Sequence, residues 1–122
     1  DASIKTDKTH YYDLNDLIVN QNSCLVVAEE PNEIVGTGYA TIKASKEAFT
    51  HERHSYLGFM YVAREHRGKA INKQVMDYLI EWSKGKGITE LYLDVYSQNE
   101  SAIKAYEKVG FEPCVLEMKL CL

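Results

Sequence analysis

The hexapeptide RGKAIN, Arg67 to Asn72, separates an apolar run, YLGFMYV, from an amphipathic one, INKQVMDYLIEW. If a helix begins there, its first backbone N–H groups lack intrahelical partners and lie at the positive end of the helix dipole, so they can hold a phosphate. Arg67 and Lys69 add charge to the same turn. The same residues can also do no more than turn the chain into the helix. Ala70 and Asn72 stand where glycine would ease the approach of a phosphate. Ala70 keeps its amide and suits a helical start. The Asn72 side chain can either crowd a phosphate or donate a hydrogen bond to it. A second constellation, HERH at His51–His54, places two histidines three apart in a polar stretch. No further ligands accompany them and HExxH spacing is not met, so no metal is expected.

Periodicity assigns the elements that must position these groups. Leu14, Leu17 and Ile18 have helical spacing, which predicts a short helix over about Tyr11–Asn20. CLVVAEE and IVGTGYATIKA read as the two strands of a hairpin turning at PNE, with Gly36 and Gly38 weakening or bulging the second. SKEAFTHERH reads as a polar loop and SYLGFMYV as a third strand. From about Lys69 to Lys84 the residues Ile71, Val75, Tyr78, Leu79 and Trp82 form one stripe of an amphipathic helix, which GKG then ends. Strict alternation in TELYLDVYS predicts a strand with Leu91, Leu93 and Val95 on one face and Tyr92, Asp94 and Tyr96 on the other. NESAIKAYEKVG reads as a helix with Asn99 or Ser97 as N-cap and Gly110 as its stop, and CVLEMKL as a closing strand. The resulting order, α-β-β-β-α-β-α-β, describes a mixed α/β (α+β) domain spanning 1–122, a sheet with helices packed on it.

Composition sets the limits within which those groups act. The 122 residues suffice for one domain with a real core, and 45% apolar against 26% charged residues describes an ordered globule. A formal charge of −4 supplies no general field for nucleic acid, and the basic residues around Arg64–Lys73 suit a small anion better than a polymer. Cys24, Cys114 and Cys121 are odd in number and lie in apolar surroundings, so buried thiols in a reducing, cytoplasmic setting are expected rather than a disulfide framework. No membrane-length apolar run is present, and no membrane partner is expected. The chain opens on Asp1 rather than methionine, so its natural start is expected further upstream.

The pieces YV…HRGKAINKQVMDYLIEW, ITELYLDVYSQNESAIKAYEKVGFEP and LEMKL, in this order, resemble the GCN5-related N-acetyltransferase (GNAT) family over nearly the whole chain from the first helix onward. Asn99, Ala102, Tyr106, Gly110 and Phe111 match the family pattern at its spacing. The resemblance implies a mostly antiparallel sheet flanked by helices, acetyl-coenzyme A as cofactor, and an amine acceptor. It implies that Arg67, Gly68, Lys69, Ala70, Ile71 and Asn72 hold the pyrophosphate, and that Asn99 hydrogen-bonds the pantetheine arm, a role compatible with that of an N-cap. A backbone N–H among Met60, Tyr61 and Val62 would polarise the thioester carbonyl. Tyr106 becomes the candidate acid for the departing thiolate, its phenol being protonated at neutral pH; the alternative is a core aromatic on the face of Ala102 and Ile103. The family begins with a strand and a helix ahead of Tyr11–Asn20. They are expected either to be missing from a piece of a longer chain or to be replaced, as a partner chain in a homodimer could do.

The proton acceptor for the amine is not evident. Leu57, Gly58, Phe59 and Met60 offer no carboxylate where many relatives carry one, and Glu52, His54 and Asp94 read first as solvated groups. A second reading therefore stands beside the enzyme: an acyl-coenzyme A binding domain that is weak or inactive in catalysis. Glu47, Glu52, Tyr56, Tyr92, Asp94 and Tyr96 hint at a cationic or aromatic acceptor.

Overall fold

The computed structural model describes residues 13–45, 52–66 and 71–122. Five strands lie in sequence order across one sheet: β1 (Asp13–Val19), β2 (Ser23–Glu30), β3 (Glu33–Ala44), β4 (Arg53–Val62) and β5 (Leu91–Tyr92). The first four pair antiparallel and β5 joins β4 in parallel. Helix α1 (Ile71–Gly85) makes the crossover between β4 and β5, and helix α2 (Glu100–Val109) follows β5. Parallel neighbours need such a crossover, whereas β2 and β3 are joined by Pro31 and Asn32 alone, Asn32 taking the positive φ (69°) that the tight turn requires.

One face of the sheet meets α1. Cys24, Val26 and Ala28 of β2, Ala40 of β3 and Leu57 of β4 pack with Ile71, Val75 and Leu79, the stripe expected from the sequence. Fully burying each aliphatic side chain there contributes roughly 1.5–3 kcal/mol. Ser55 of β4 and Ser83 of α1, both 0% exposed, share a hydrogen bond of 2.8 Å between their hydroxyls within this seam. Tyr78 of α1 donates its hydroxyl to Asp16 of β1, which with partial burial raises the phenol's pKa to about 12.

Four expectations change. The helix expected over Tyr11–Asn20 is a strand where the chain is described: Asp13–Val19 forms a ladder with β2, and Leu17, which the helical stripe would bury, is 62% exposed. A shift of register between Asp16 and Ile18 lets Leu14 stay against the core and breaks strict alternation, which is why the pattern looked helical. The strand expected over TELYLDVYS shrinks to Leu91–Tyr92, and CVLEMKL forms none. Both segments alternate, but a strand needs a ladder partner for its backbone, and beyond Tyr92 the described residues supply none. Finally, of the three thiols only Cys24 is buried; Cys114 and Cys121 are exposed, and all three are free.

Candidate active site

The sheet is divided where β4 and β5 meet. Ser55 pairs with Leu91 and Tyr56 with Tyr92, and there the parallel ladder ends. β4 continues to Val62 while the chain after Tyr92 leaves the sheet, so a split opens between Leu57–Val62 and residues 93–96. Extended backbone bordering such a split has N–H and C=O groups to offer a ligand.

A bulge lies in the far half of that bared strand. Across β3–β4, Thr37 pairs with Tyr61 and Gly38 with Phe59, so the register gives Met60 no partner on β3. An extra residue in a bulge is left out of the ladder and its backbone groups are re-aimed. Of the three residues expected to offer a carbonyl-polarising amide, the register thus singles out Met60, with Tyr61 back in the ladder opposite Thr37 and Val62 opposite Gly36.

The chain then passes a 3-10 turn at Arg64–His66 and enters α1 at Ile71. Arg67, Gly68, Lys69 and Ala70, expected to cradle a phosphate, lie outside the described residues. Ile71 buries its side chain in the core and so can contribute only main chain to a ligand, while Asn72 is exposed. No acidic residue occupies the first turn of α1, so that turn brings no carboxylate of its own to the helix's orphan amides.

The other expected residues lie on α2. Asn99 is its N-cap: Oδ1 accepts from the Ala102 amide at 3.3 Å. Gly110 ends the helix at φ 122°, with its amide donating to the carbonyls of Glu107 and Tyr106. Tyr106 is half-buried, edge-on to Phe111 with ring centroids 6.1 Å apart, and desolvation raises its phenol pKa above the ordinary value of 10.0. Phe111 packs against the core and ties the end of α2 to the sheet. Asn99 and Tyr106, seven residues apart, share a helix face.

Of the groups weighed as bases, His54 and Asp94 find partners instead. Glu52 is exposed. His54 places Nδ1 2.9 Å from the Ser45 hydroxyl and stands edge-on to the Tyr92 ring at 5.0 Å. Asp94 accepts a hydrogen bond of 2.5 Å from the Tyr56 hydroxyl, which raises the Tyr56 pKa to about 12. This last contact was not evident beforehand. The alternation of TELYLDVYS put Asp94 and Tyr92 on one face, but nothing local places Tyr56, 38 positions earlier, beside them. His51 lies outside the described residues; among the described ones no group of three or more His, Cys, Asp or Glu could hold a metal ion. No helix among them is long and apolar enough to cross a membrane.

Comparison with known proteins gives this geometry a context. The family model described as Acetyltransferase (GNAT) family matches residues 2–111. An uncharacterized N-acetyltransferase of Bacillus subtilis, YobR, is 42% identical over 57 residues, 47% of this chain and 23% of its own. Human N-acetyltransferase 8B is 27% identical over 113 residues, 92% of this chain and 48% of its own. The chain therefore spans less than half the length of either relative. The crystal structure of a predicted acetyltransferase from Clostridium acetobutylicum, solved with acetyl-CoA, superposes with a TM-score of 0.67 at 23% identity, covering 84% of this chain and 66% of that one.

Proposed function

Since the chain belongs to the acetyltransferase (GNAT) family, we propose that it binds acetyl-coenzyme A in the split between β4 and β5 and transfers the acetyl group to a primary amine. The observation that carries this reading is the bulge at Met60, on the strand that the split leaves bare. An amide released from a ladder at that point is suited to donate to a thioester oxygen as negative charge develops on it. The head of α1, a few residues further on, suits the pyrophosphate, with Arg67, Gly68, Lys69, Ala70 and Ile71 supplying amides and charge and Asn72 at the rim. Asn99 supports the pantetheine arm while capping α2.

In the reaction the neutral amine attacks the carbonyl carbon, the new C–N bond forms and the C–S bond breaks. One proton leaves the ammonium form of the acceptor as it becomes neutral, and a second leaves nitrogen as the amide forms. One goes to solvent and the other ends on the coenzyme A sulfur. Tyr106 faces that sulfur in this reading. Desolvation keeps its phenol protonated above the usual pH range, so it donates a hydrogen bond to the developing thiolate throughout the working range. A thiol titrates near 8.5, below the phenol, so Tyr106 stabilises the charge at least as much as it surrenders its proton.

Thiol release with a panel of primary amines tests the reading. Tyr106→Phe should lower kcat about 10- to 100-fold while leaving the KM for acetyl-coenzyme A within a factor of about three, the pattern of a group that acts in the transition state. Tight coenzyme A binding with no transfer to any amine would instead favour a binding domain without turnover.

A further inference from the structure

We propose that the sheet face opposite α1, beside the split, binds an extended oligoamine, with Tyr56 and Asp94 holding one ammonium group while a second nitrogen reaches the bulge at Met60. The claim that this oligoamine is the acetyl acceptor rests on the transfer reading above; its binding does not.

The face is defined by register. Tyr39 lies opposite Gly58, Thr41 opposite Tyr56, Lys43 opposite His54, and Tyr56 opposite Tyr92. Their neighbours Ala40, Ser55 and Leu57 are buried on the α1 side, so these residues point away from it. Asp94, two beyond Tyr92, reaches the same face and accepts the Tyr56 hydroxyl at 2.5 Å. Three tyrosine rings and one carboxylate thus gather at the point where β4 and β5 part. Gly58 leaves room for the far end of the Tyr39 ring over β4, since a Cβ there would meet ring atoms at 2.3 Å.

Aromatic faces attract ammonium groups, and a carboxylate beside the ring reinforces the attraction. A phenol donating to a carboxylate also has a more electron-rich ring. The molecule carries its own demonstration: the Lys43 ammonium stands 4.8 Å from the centroid of the Tyr56 ring. A primary ammonium on a flexible alkyl chain is therefore the group this ring already takes. Lys43 occupies the place of a ligand's cation, and a ligand must displace it.

Spacing sets the length of that ligand. Tyr56 and Met60 are four residues apart on one strand, about 13 Å at ~3.3 Å per residue. A monoamine held at Tyr56 would not reach the bulge. A chain with two ammonium groups separated by roughly 10 Å or more would reach both, which is the span of an extended triamine.

Calorimetric titration of the coenzyme A-loaded protein with spermidine and with n-butylamine tests this without requiring turnover. Spermidine should bind at least 10-fold tighter than n-butylamine. Asp94→Asn, an exposed and nearly isosteric change, should weaken spermidine about 10-fold. Lys43→Met, which removes the internal competitor, should tighten spermidine several-fold. Equal affinity for the two amines, an Asp94→Asn variant that binds spermidine as before, or weaker binding by Lys43→Met would each overturn the proposal. Tight spermidine binding without acetyl transfer would leave the site standing and refute the transfer reading. Transfer to n-butylamine as efficient as to spermidine would leave the transfer reading standing and refute the claim that the oligoamine is its acceptor.

Discussion

The Ser55–Ser83 pair offers a test of how α1 is fixed to the strand that borders the split. Both hydroxyls are 0% exposed and 2.8 Å apart, and each residue also holds the chain by its backbone: the Ser55 amide donates to the Glu90 carbonyl, and the Ser83 carbonyl accepts from the amides of Lys86 and Ile88. Substitution by alanine leaves those backbone bonds in place and removes one hydroxyl. The other hydroxyl is then buried without its partner, which costs about 1–3 kcal/mol. Ser55→Ala and Ser83→Ala should therefore each destabilise by about 2 kcal/mol, a fall in Tm of about 6–10 °C at this chain length. The double variant has no orphan left, so it should cost about 1 kcal/mol or less rather than the sum of about 4, a coupling of about −3 kcal/mol. Urea denaturation followed by circular dichroism on the four proteins closes the cycle. Additivity within about 0.5 kcal/mol would show that the two hydroxyls do not depend on each other, and the account of this seam would be wrong.

Cys24 links burial to pH. Desolvation, and secondarily the Asp16 carboxylate, raise its thiol from 9.0 to about 11. In the unfolded chain it ionises first, so the stability it lends is complete below pH 9 and is lost as pH rises through about 11. Cys24→Ala should be less stable at neutral pH but show a flatter profile in urea melts between pH 9 and 11, and a profile parallel to the parent would contradict this assignment. The same burial predicts that a thiol reagent titrates Cys114 and Cys121 rapidly in the native protein and Cys24 only after denaturation. Gly58→Ala should cost only about 1 kcal/mol, because the atoms its Cβ would meet belong to the far end of the Tyr39 side chain, which can swing away. Tyr39 would then leave the open face, and spermidine affinity should fall severalfold while coenzyme A affinity holds; an unchanged spermidine affinity would remove Tyr39 from the site.

Three elements follow from signals close to them in the chain. The α1 stripe follows from a 3.6-residue period, the β2–β3 hairpin from two apolar runs about a short polar turn, and the α2 ends from Asn99 and Gly110, because each signal lies within a few residues of the structure it specifies. The segment Asp13–Val19 misled because a bulge interrupts its alternation, and a ladder with β2 outweighs a weak helical spacing. CVLEMKL misled in the opposite way: it alternates well, yet alternation supplies no partner, and Leu116, Met118 and Leu120 stand about 80% exposed. The tertiary structure alone decided where β4 slips against β3, which leaves Met60 out of the ladder, and where β4 parts from β5, which brings Tyr56 to Asp94. Register between strands is set by which side chains the core on α1 must bury, here Ala40, Ser55 and Leu57. The residues facing the other way are carried into place by that choice, and no stretch of sequence near Tyr56 records it.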